Sequence, residues 1–396
     1  MEKVEVPATA TDDGSDAAGP GAIWALKVSA LPWLVARVVV LAALGVGHEL
    51  VSHHHLTGAA AARVHEGLLG WDAGWYQSIA GHGYAGAGHG SLRFFPLFPV
   101  LGRALAVLPG ISVGAGVVIV ANVSALLGTA VAVALARFES GDERLARRAG
   151  WLLSLAPPAF TFVMGYAEGT LLLLAAGTFL ALRTRHWGIA ALLGFAAGLT
   201  RPLGALLLVP AAVEVWREWR GESGGADVRP LGVKRAAVRL AAVLGPVAGT
   251  GTFLGWVGWR YGGWLTPLRL QQEAGHHGRL VDPLVTLAHD GSYLLHGKHL
   301  GEALHLPWVL FALVLLVVSF RKWPACDGWF AAAVLVVALS GSNLDSFERY
   351  ALSGFPLVLA GASLTVSRRV FAPVLALSGS ALFGYALLAF ANRYVP

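Results

Sequence analysis

The feature that most constrains this sequence is a succession of long apolar segments separated by short polar ones. Of its 396 residues, 56% are hydrophobic and only 13% are charged, whereas about 25% of the residues of a soluble domain are charged. A helix needs about 20 apolar residues to cross the hydrocarbon core of a bilayer, which is about 30 Å thick. We therefore predict an all-α, polytopic integral membrane protein with about 11 transmembrane helices. The predicted spans are 29–49, 112–136, 151–165, 169–183, 187–200, 203–216, 237–258, 307–320, 326–341, 350–366 and 370–390.

The basic residues between these segments predict the side of the membrane on which each loop lies. Lys and Arg are enriched in cytoplasmic loops, and a cytoplasmic N-terminus places most of the short basic segments inside, including 137–148 and Arg183. Two long loops, 50–111 and 259–306, then lie on the extracytoplasmic side. The Ala-, Gly- and Arg-rich composition is typical of a bacterial protein, so we expect a multi-pass protein of the plasma membrane.

The chain divides into a tail and one membrane domain. Residues 1–28 contain several acidic residues among Ala, Gly and Thr and are predicted to be a disordered cytoplasmic tail. The tail lacks the basic start and the short apolar stretch of a cleaved signal peptide, so we expect the first span to stay in the mature protein. Residues 29–396 then form a single transmembrane domain.

Residues 94–110 are apolar enough to suggest a further span, but their composition argues against one. A full crossing here would move the basic segment 144–148 outside and would invert every later loop. Pro96, Pro99 and Arg103 suit an interfacial or re-entrant helix better. We therefore predict that the first outer loop contains interfacial helices.

The first outer loop also contains the segment WDAGWY at residues 71–76. Asp72 is a carboxylate flanked by Trp71 and Trp75, and apolar surroundings of this kind raise the basicity of a general base. The tryptophan rings also offer a flat face to a sugar or an isoprenoid. The alternative is an aromatic belt, in which Trp and Tyr lie at the headgroup level for purely physical reasons. Spacing alone does not separate the two interpretations.

Four further ionisable residues interrupt apolar sequence on the same predicted side, namely Arg93, Glu168, Arg201 and Arg349. Charged side chains at membrane depth are costly and indicate either a function or an internal pair. Guanidinium groups bind phosphate oxygens two at a time, so the arginines are suited to hold a lipid phosphate or a phosphate leaving group. In the alternative interpretation, Glu168 forms a structural ion pair with Arg201 or Arg349, and Arg93 contacts ordinary phospholipid.

Signals for a metal or another cofactor are weak. The single cysteine, Cys326, excludes a disulfide framework and a CxxC metal site. The histidine run 53–55 and the histidines of loop 259–306 lack the spacing of converging metal ligands. We therefore assign no cofactor and give a divalent metal little weight.

The sequence also lacks the motifs of nucleotide chemistry. No P-loop, Rossmann, HExxH or GxSxG motif occurs in a convincing context. The basic residues form short clusters between apolar segments, as topology signals do, so they do not indicate nucleic acid as a partner. A membrane enzyme whose polar residues face outward needs a donor that is already activated within the membrane. Polyprenyl-phosphate sugars meet that condition.

Four motifs, the first of which has two parts, match a known pattern in the same order along most of the chain. Residues 71–84 (WDAGWYQSIAGHGY) and 94–99 (FFPLFP) are similar to WD-x-x-(W/H)-Y-x-x-I-A-x-x-G-Y followed by F-F-P-L-(Y/F)-P. Residues 166–168 (YAE) resemble Y-(S/T)-E, 200–204 (TRPLG) resemble (T/S)-R-x-x-G, and 349–356 (RYALSGFP) resemble R-Y-x-x-x-x-(F/L)-P. The sequence thereby resembles the PIG-V-like mannosyltransferases, the family of GPI mannosyltransferase II and its bacterial relatives within the GT-C glycosyltransferases.

The resemblance implies a GT-C-like bundle and an inverting hexosyltransferase. The enzyme would move a sugar, mannose in this family, from a polyprenyl-phosphate donor to an extracytoplasmic lipid, glycan or protein acceptor. Asp72 would be the catalytic base, although many GT-C enzymes carry paired acids in this loop and Gly74 stands here at the second position. The candidate substrate-binding residues are Trp71, Trp75, Tyr76, His82, Arg93, Glu168, Arg201, Arg349 and Tyr350.

A transporter or flippase of a lipid-linked sugar is the alternative class of function. Transporters commonly show inverted repeats and paired discontinuous helices, which are not evident in this sequence. They also do not need so long an outer loop.

Overall fold

The computed structural model of the protein describes residues 20–55, 57–221, 232–273, 278–296 and 305–394. Within these residues the fold is helical, and extended pairing is limited to one isolated bridge between Leu280 and Gly341. The helices are α1 (Pro20–His53), α2 (Ala59–Glu66), α3 (Asp72–Ala87), α4 (Leu97–Leu105), α5 (Val113–Ser140), α6 (Glu143–Ser154), α7 (Glu168–Arg183), α8 (Trp187–Thr200), α9 (Leu208–Trp219), α10 (Val233–Tyr261), α11 (Thr266–Gln271), α12 (Pro283–His296), α13 (Leu306–Lys322), α14 (Ala325–Leu339), α15 (Phe347–Ser353), α16 (Pro356–Leu364) and α17 (Arg368–Phe390).

Each predicted span coincides with one of these helices or with two consecutive helical pieces. Four helices, α1, α5, α10 and α17, are long and apolar enough to cross a membrane unaided. Other predicted spans combine an α-helix with a neighbouring short helix; α9, for example, follows a 3-10 helix over Pro202–Leu207. The predicted polytopic, all-α fold is confirmed.

Two segments can be compared with the prediction from the sequence, namely the start of α1 and residues 94–110. Helix α1 begins at Pro20, so residues 20–28, which we assigned to the tail, are helical. The reason is packing: the ring of Trp24 lies under the guanidinium groups of Arg137 and Arg147, at 4.7 and 5.3 Å.

The segment 94–110 contains only the nine-residue helix α4, which at about 1.5 Å per residue is too short to cross a bilayer core.

The outer surface of the bundle is apolar. Leu31, Leu34 and Val38 on α1, Leu192 on α8 and Leu310 on α13 are all more than half exposed. So many exposed large apolar side chains are unusual for a soluble protein and suit a surface that lipid tails cover.

Small residues let the helices approach closely. Along the contact of α8 with α10, a β-carbon at Gly198 would collide with the backbone of Pro246, and one at Gly249 would collide with the backbone of Phe195. Close backbone approach at Gly and Ala is the usual basis of helix packing in lipid. The two helices therefore pack backbone against backbone along this stretch.

Helix α7 connects two opposite faces of the bundle. Its first residue, Glu168, lies near Arg349 and thus near Asp72, whereas its last residue, Arg183, lies near Asp327. We refer to these as the Asp72 face and the Arg183 face. Along α7 they are separated by about 22 Å, from the rise of 1.5 Å per residue.

Candidate active site

Asp72 is the first residue of α3 and is held rigidly in place. The preceding residue, Trp71, has a φ of 59°, a strained conformation for a bulky side chain that the surroundings must impose. Its indole Nε1–H donates to the carbonyl oxygen of Ala389 at 3.0 Å, and the guanidinium of Arg63 lies 4.2 Å from its ring centre. The backbone N–H of Asp72 donates to the hydroxyl of Tyr166 at 3.3 Å.

Two arginines hold the carboxylate of Asp72. Arg349 Nη1 donates to Oδ2 at 2.7 Å, and Arg93 Nη2 lies 3.7 Å from Oδ1. The side chain of Arg349 is only 6% exposed, whereas that of Asp72 is 24% exposed. Burial favours the protonated acid, but the charges of Arg349 and Arg93 outweigh it and hold the pKa of Asp72 below its usual range. Asp72 is therefore an ionised carboxylate at neutral pH with one accessible edge.

A second carboxylate, Glu168, lies behind the first. It is buried, pairs with Arg201, and has its Oε1 at 3.6 Å from Arg349 Nε. Arg349 thus lies between two carboxylates that come from distant parts of the sequence. The second carboxylate of this cluster therefore comes from α7 and not from the loop that carries Asp72.

The charges of this cluster do not balance. Asp72 and Glu168 contribute two carboxylates, and Arg93, Arg201 and Arg349 contribute three guanidinium groups. Oε2 of Glu168 and Nε of Arg349 are buried without a hydrogen-bond partner, and such groups are costly to leave unsatisfied. The cluster therefore carries a formal positive charge and retains unused capacity to bind a further polar group.

Aromatic rings form the sides of the cluster. Tyr350 lies beside both Arg201 and Arg349, whose guanidinium carbons are 5.5 and 5.4 Å from its ring centre, and its hydroxyl accepts from Gln271 Nε2 at 3.2 Å. Trp75 stacks against Phe94 at 5.9 Å between ring centres. These rings orient the guanidinium groups and exclude water from one side of them.

Helix α3 also contributes a buried phenol. Tyr76 makes edge contacts with Phe94 and Phe98 at 5.0 and 4.8 Å. Burial raises the pKa of Tyr76 to about 12, so it remains a neutral hydroxyl beside the cluster.

The structure brings together most, but not all, of the residues that we selected from the sequence. Asp72, Arg93, Glu168, Arg201, Arg349 and Tyr350 form one connected group, and Trp75 and Tyr76 border it. His82 is exposed on α3, about three turns beyond Asp72 at 3.6 residues per turn, so the fold does not bring it to the cluster. The indole N–H of Trp71 bonds to α17, so its observed contact is with the scaffold.

A second layer behind Arg349 was not selected from the sequence. The adjacent residue, Glu348, accepts from the hydroxyl of Tyr394 at 3.0 Å and contacts Nδ1 of His305 at 2.8 Å. Burial lowers the pKa of His305, but the bond to Glu348 and its negative charge raise it above its ordinary value. These contacts fix the short helix α15, which carries Arg349. The sequence signal was the polar segment 342–350, in which Glu348 directly precedes Arg349.

Metal binding has no support from the described residues. No group of three or more His, Cys, Asp or Glu side chains in this part of the chain could hold an ion. His276, His277 and His299 of the second loop lie outside the described residues.

Comparison with known proteins identifies a fold but no family. No family model matches the sequence, and no curated protein matches it. The chain is similar to the structure of ArnT from Cupriavidus metallidurans bound to undecaprenyl phosphate, with a TM-score of 0.51 and 16% identity over 92% of this chain and 77% of that chain. It is also similar to the Archaeoglobus fulgidus oligosaccharyltransferase in complex with zinc and sulfate, with a TM-score of 0.39 and 14% identity over 76% of this chain and 44% of that chain, a likeness too low to carry an argument. The first likeness shows a shared fold, which agrees with the predicted polytopic all-α bundle.

Proposed function

We propose that this protein is an inverting membrane glycosyltransferase that uses a polyprenyl-phosphate sugar as its donor, with mannose as the sugar. The observation that carries the proposal is the arrangement of Asp72, an accessible carboxylate, inside a cluster that contains more arginines than acids. The sequence resemblance to the PIG-V-like enzymes supports mannose. The shared fold with ArnT, whose structure contains undecaprenyl phosphate, supports a polyprenyl-phosphate donor.

In this proposal the arginines bind the donor phosphate. Arg93 and Arg349 already face the exposed edge of Asp72, and guanidinium groups bind phosphate oxygens in bidentate fashion. Charge that develops on a departing phosphate is stabilised most by cations that are fixed before the reaction begins. The contacts of Arg349 with Tyr350 and Glu168 provide that fixed orientation.

Asp72 is then the base for the acceptor. The acceptor hydroxyl gives its proton to a carboxylate oxygen of Asp72 while its oxygen bonds to C1 of the sugar from the face opposite the phosphate. The bond between C1 and the phosphate oxygen breaks, and the polyprenyl phosphate leaves with the electron pair. Before the donor binds, Arg93 and Arg349 hold the pKa of Asp72 low. A bound phosphate shares these cations, so the carboxylate becomes more basic only when the donor is in place.

We further propose that the Asp72 face is extracytoplasmic. The opposite face carries many of the exposed basic residues of the bundle, as the positive-inside rule expects of a cytoplasmic face. They include Arg144, Arg147, Arg185, Lys234, Arg235, Arg368 and Arg369. The acceptor is then an extracytoplasmic lipid, glycan or protein.

The direct test is a transfer assay with the purified full-length protein. Labelled polyprenyl-phosphate mannose and, in parallel, polyprenyl-phosphate glucose are incubated with a membrane lipid extract, and the labelled product is identified. We expect transfer of mannose, loss of transfer in Asp72→Asn, and unchanged transfer in Glu66→Gln, which removes an acid of the same loop outside the cluster. Transfer by Asp72→Asn at the wild-type rate would show that the catalytic assignment is wrong. Movement of the intact donor across vesicle membranes without any product would instead identify a transporter.

A further inference from the structure

A cleft on the Arg183 face lies far from the proposed active site. It has a volume of about 440 Å³ and opens between the N-terminal ends of α8 and α10. Basic and apolar residues both contribute to its lining, and most of the surface that it presents is apolar. The lining includes Arg185, Ile189, Lys234, Arg235, Val238 and Arg239.

The positive charge of the cleft is only partly neutralised. Glu218 pairs with Arg239 at 2.5 Å and with Arg185 at 3.1 Å. Among the described residues, no carboxylate forms an ion pair with Lys234 or Arg235, and both side chains are exposed. The mouth of the cleft therefore attracts an anion.

The two basic residues lie at an unfavourable position of their helix. Lys234 and Arg235 belong to the first turn of α10, which contains no acid and whose N-cap, Gly232, offers no side chain. The N-terminus of a helix carries a partial positive charge, so cations there are repelled. Helix α8 begins beside them and also lacks a side-chain cap and an acid in its first turn. An anion placed between these two helix ends and two cations would stabilise all four.

The floor of the cleft is apolar. Ile189 and Val238 are 51% and 42% exposed, and Leu192, one turn further along α8, is also exposed. A free phosphate ion gains nothing from such a floor, whereas a lipid chain does. Ile189 and Leu192 lie on one side of α8. They form an apolar strip on the surface of this helix that leads from the cleft toward the middle of α8.

We propose that this cleft is a binding site for an anionic phospholipid of the leaflet at the Arg183 face. The headgroup phosphate lies between Lys234, Arg235 and the N-terminus of α8, and one acyl chain follows Ile189 and Leu192. Basic clefts between transmembrane helices bind acidic lipid headgroups in this way. The proposal does not depend on the reaction at the Asp72 face.

The test compares the two cations of the cleft with two exposed cations on the same face that lie outside it. Arg368 and Arg369 are also exposed and also lie in the first turn of a helix on the Arg183 face, but Ser367 caps that helix by accepting from Val370 N–H. Delipidated full-length protein is titrated with phosphatidylglycerol, phosphatidylcholine or inorganic phosphate, and bound lipid is counted by native mass spectrometry. We expect the double variant K234Q/R235Q to bind phosphatidylglycerol about tenfold more weakly or worse. The double variant R368Q/R369Q should bind it as the wild type does.

Three outcomes would overturn the proposal. Equal weakening in both double variants would show diffuse attraction to the basic face and no defined site. Binding of phosphatidylcholine as tight as that of phosphatidylglycerol would remove the role of charge. Competition by inorganic phosphate at comparable concentration, together with undiminished lipid binding by Ile189→Ser, would identify a free-anion site. The substituted side chains are exposed, so each variant is expected to fold, and its elution as a single species checks this.

Discussion

Two ionic clusters lie at opposite ends of α7, and they differ in the balance of their charges. On the Asp72 face, three arginines surround two carboxylates, and Asp72 keeps an accessible edge. On the Arg183 face, Arg183 donates to Glu139 at 2.6 Å and to Asp327 at 2.9 Å and also pairs with Glu214. In that second cluster the carboxylates outnumber the cations, even though Arg217 approaches Glu214 at 3.1 Å.

This difference in charge balance indicates that the two clusters of arginines and carboxylates have different roles. Arg183 joins α5, α7, α9 and α14, and its pairs with Glu139 and Asp327 are almost completely buried. Its guanidinium nitrogens Nε, Nη1 and Nη2 are all used within the protein, so this cluster is suited to hold helices together. The Asp72 cluster has a surplus of cations and a partly open carboxylate, which is what binding of an anionic substrate requires.

The largest expected effect is on catalysis and belongs to the Asp72 face alone. Loss of a general base lowers a rate by about 10²- to 10⁴-fold, so we expect a fall of that size in Asp72→Asn. Asp327→Asn, its counterpart on the Arg183 face, should retain transfer within a fewfold of wild type. Initial rates with the labelled donor measure both variants. Equal losses in the two would mean that the clusters are not functionally distinct.

The largest effect on stability is expected at the Arg183 face. Arg183→Ala removes the cation that pairs with the buried carboxyl groups of Glu139 and Asp327, and breaking a buried pair in this way destabilises by about 3–5 kcal/mol. Arg93→Ala should have a much smaller effect, because the Asp72 face keeps two further arginines. Thermal unfolding in detergent measures the comparison. A larger loss of stability in Arg93→Ala would reverse the assigned roles.

A smaller effect on catalysis should follow from a substitution that keeps the charge of Arg349 but changes the shape of its side chain. Arg349→Lys keeps the positive charge but loses the planar fork that binds two oxygens at once. We expect the KM for the donor to rise about tenfold, which corresponds to about 1.4 kcal/mol of lost binding. Inhibition by free polyprenyl phosphate should weaken in parallel. An unchanged KM with a lower kcat would place Arg349 outside the donor site.

The smallest effect is a shift of the pH profile. Arg349 and Arg93 together lower the pKa of Asp72, so the carboxylate loses its charge only at a pH below the ordinary range of an aspartate. In Arg93→Gln one of these cations is absent, so the acid limb of kcat/KM should move to higher pH. A profile of kcat/KM against pH for both proteins measures this shift. Movement to lower pH would contradict the assigned contact between Arg93 and Asp72.

Much of the architecture could be read from the sequence because hydropathy is a local property. The apolar segments correspond to helices, and the short length of α4 agrees with the proline and arginine residues that argued against a crossing there. Asp72, Glu168, Arg201 and Arg349 could be selected because charges in apolar surroundings are rare. The alternative interpretation of Glu168 was also correct in one respect, since it does pair with Arg201.

Other features could not be read from the sequence because they depend on long-range contacts. We assigned Arg183 to an inner loop as a topology signal, yet it is the centre of a buried cluster. His82 lies in the matching segment but is exposed, because α3 carries it away from Asp72. Glu348 and its partners His305 and Tyr394 are distant in sequence and gave no pattern.

The sequence by itself determined that this chain is a helical membrane protein and which charged residues interrupt its apolar segments, because both follow from the composition of short stretches. Tertiary structure alone decided which charges meet. It placed Arg349 between Asp72 and Glu168, three residues from three separate elements, and it gave one face a surplus of cations and the other a surplus of acids. The physical reason is that an ion pair depends on distances of a few ångströms between groups, and only the packing of the helices sets those distances.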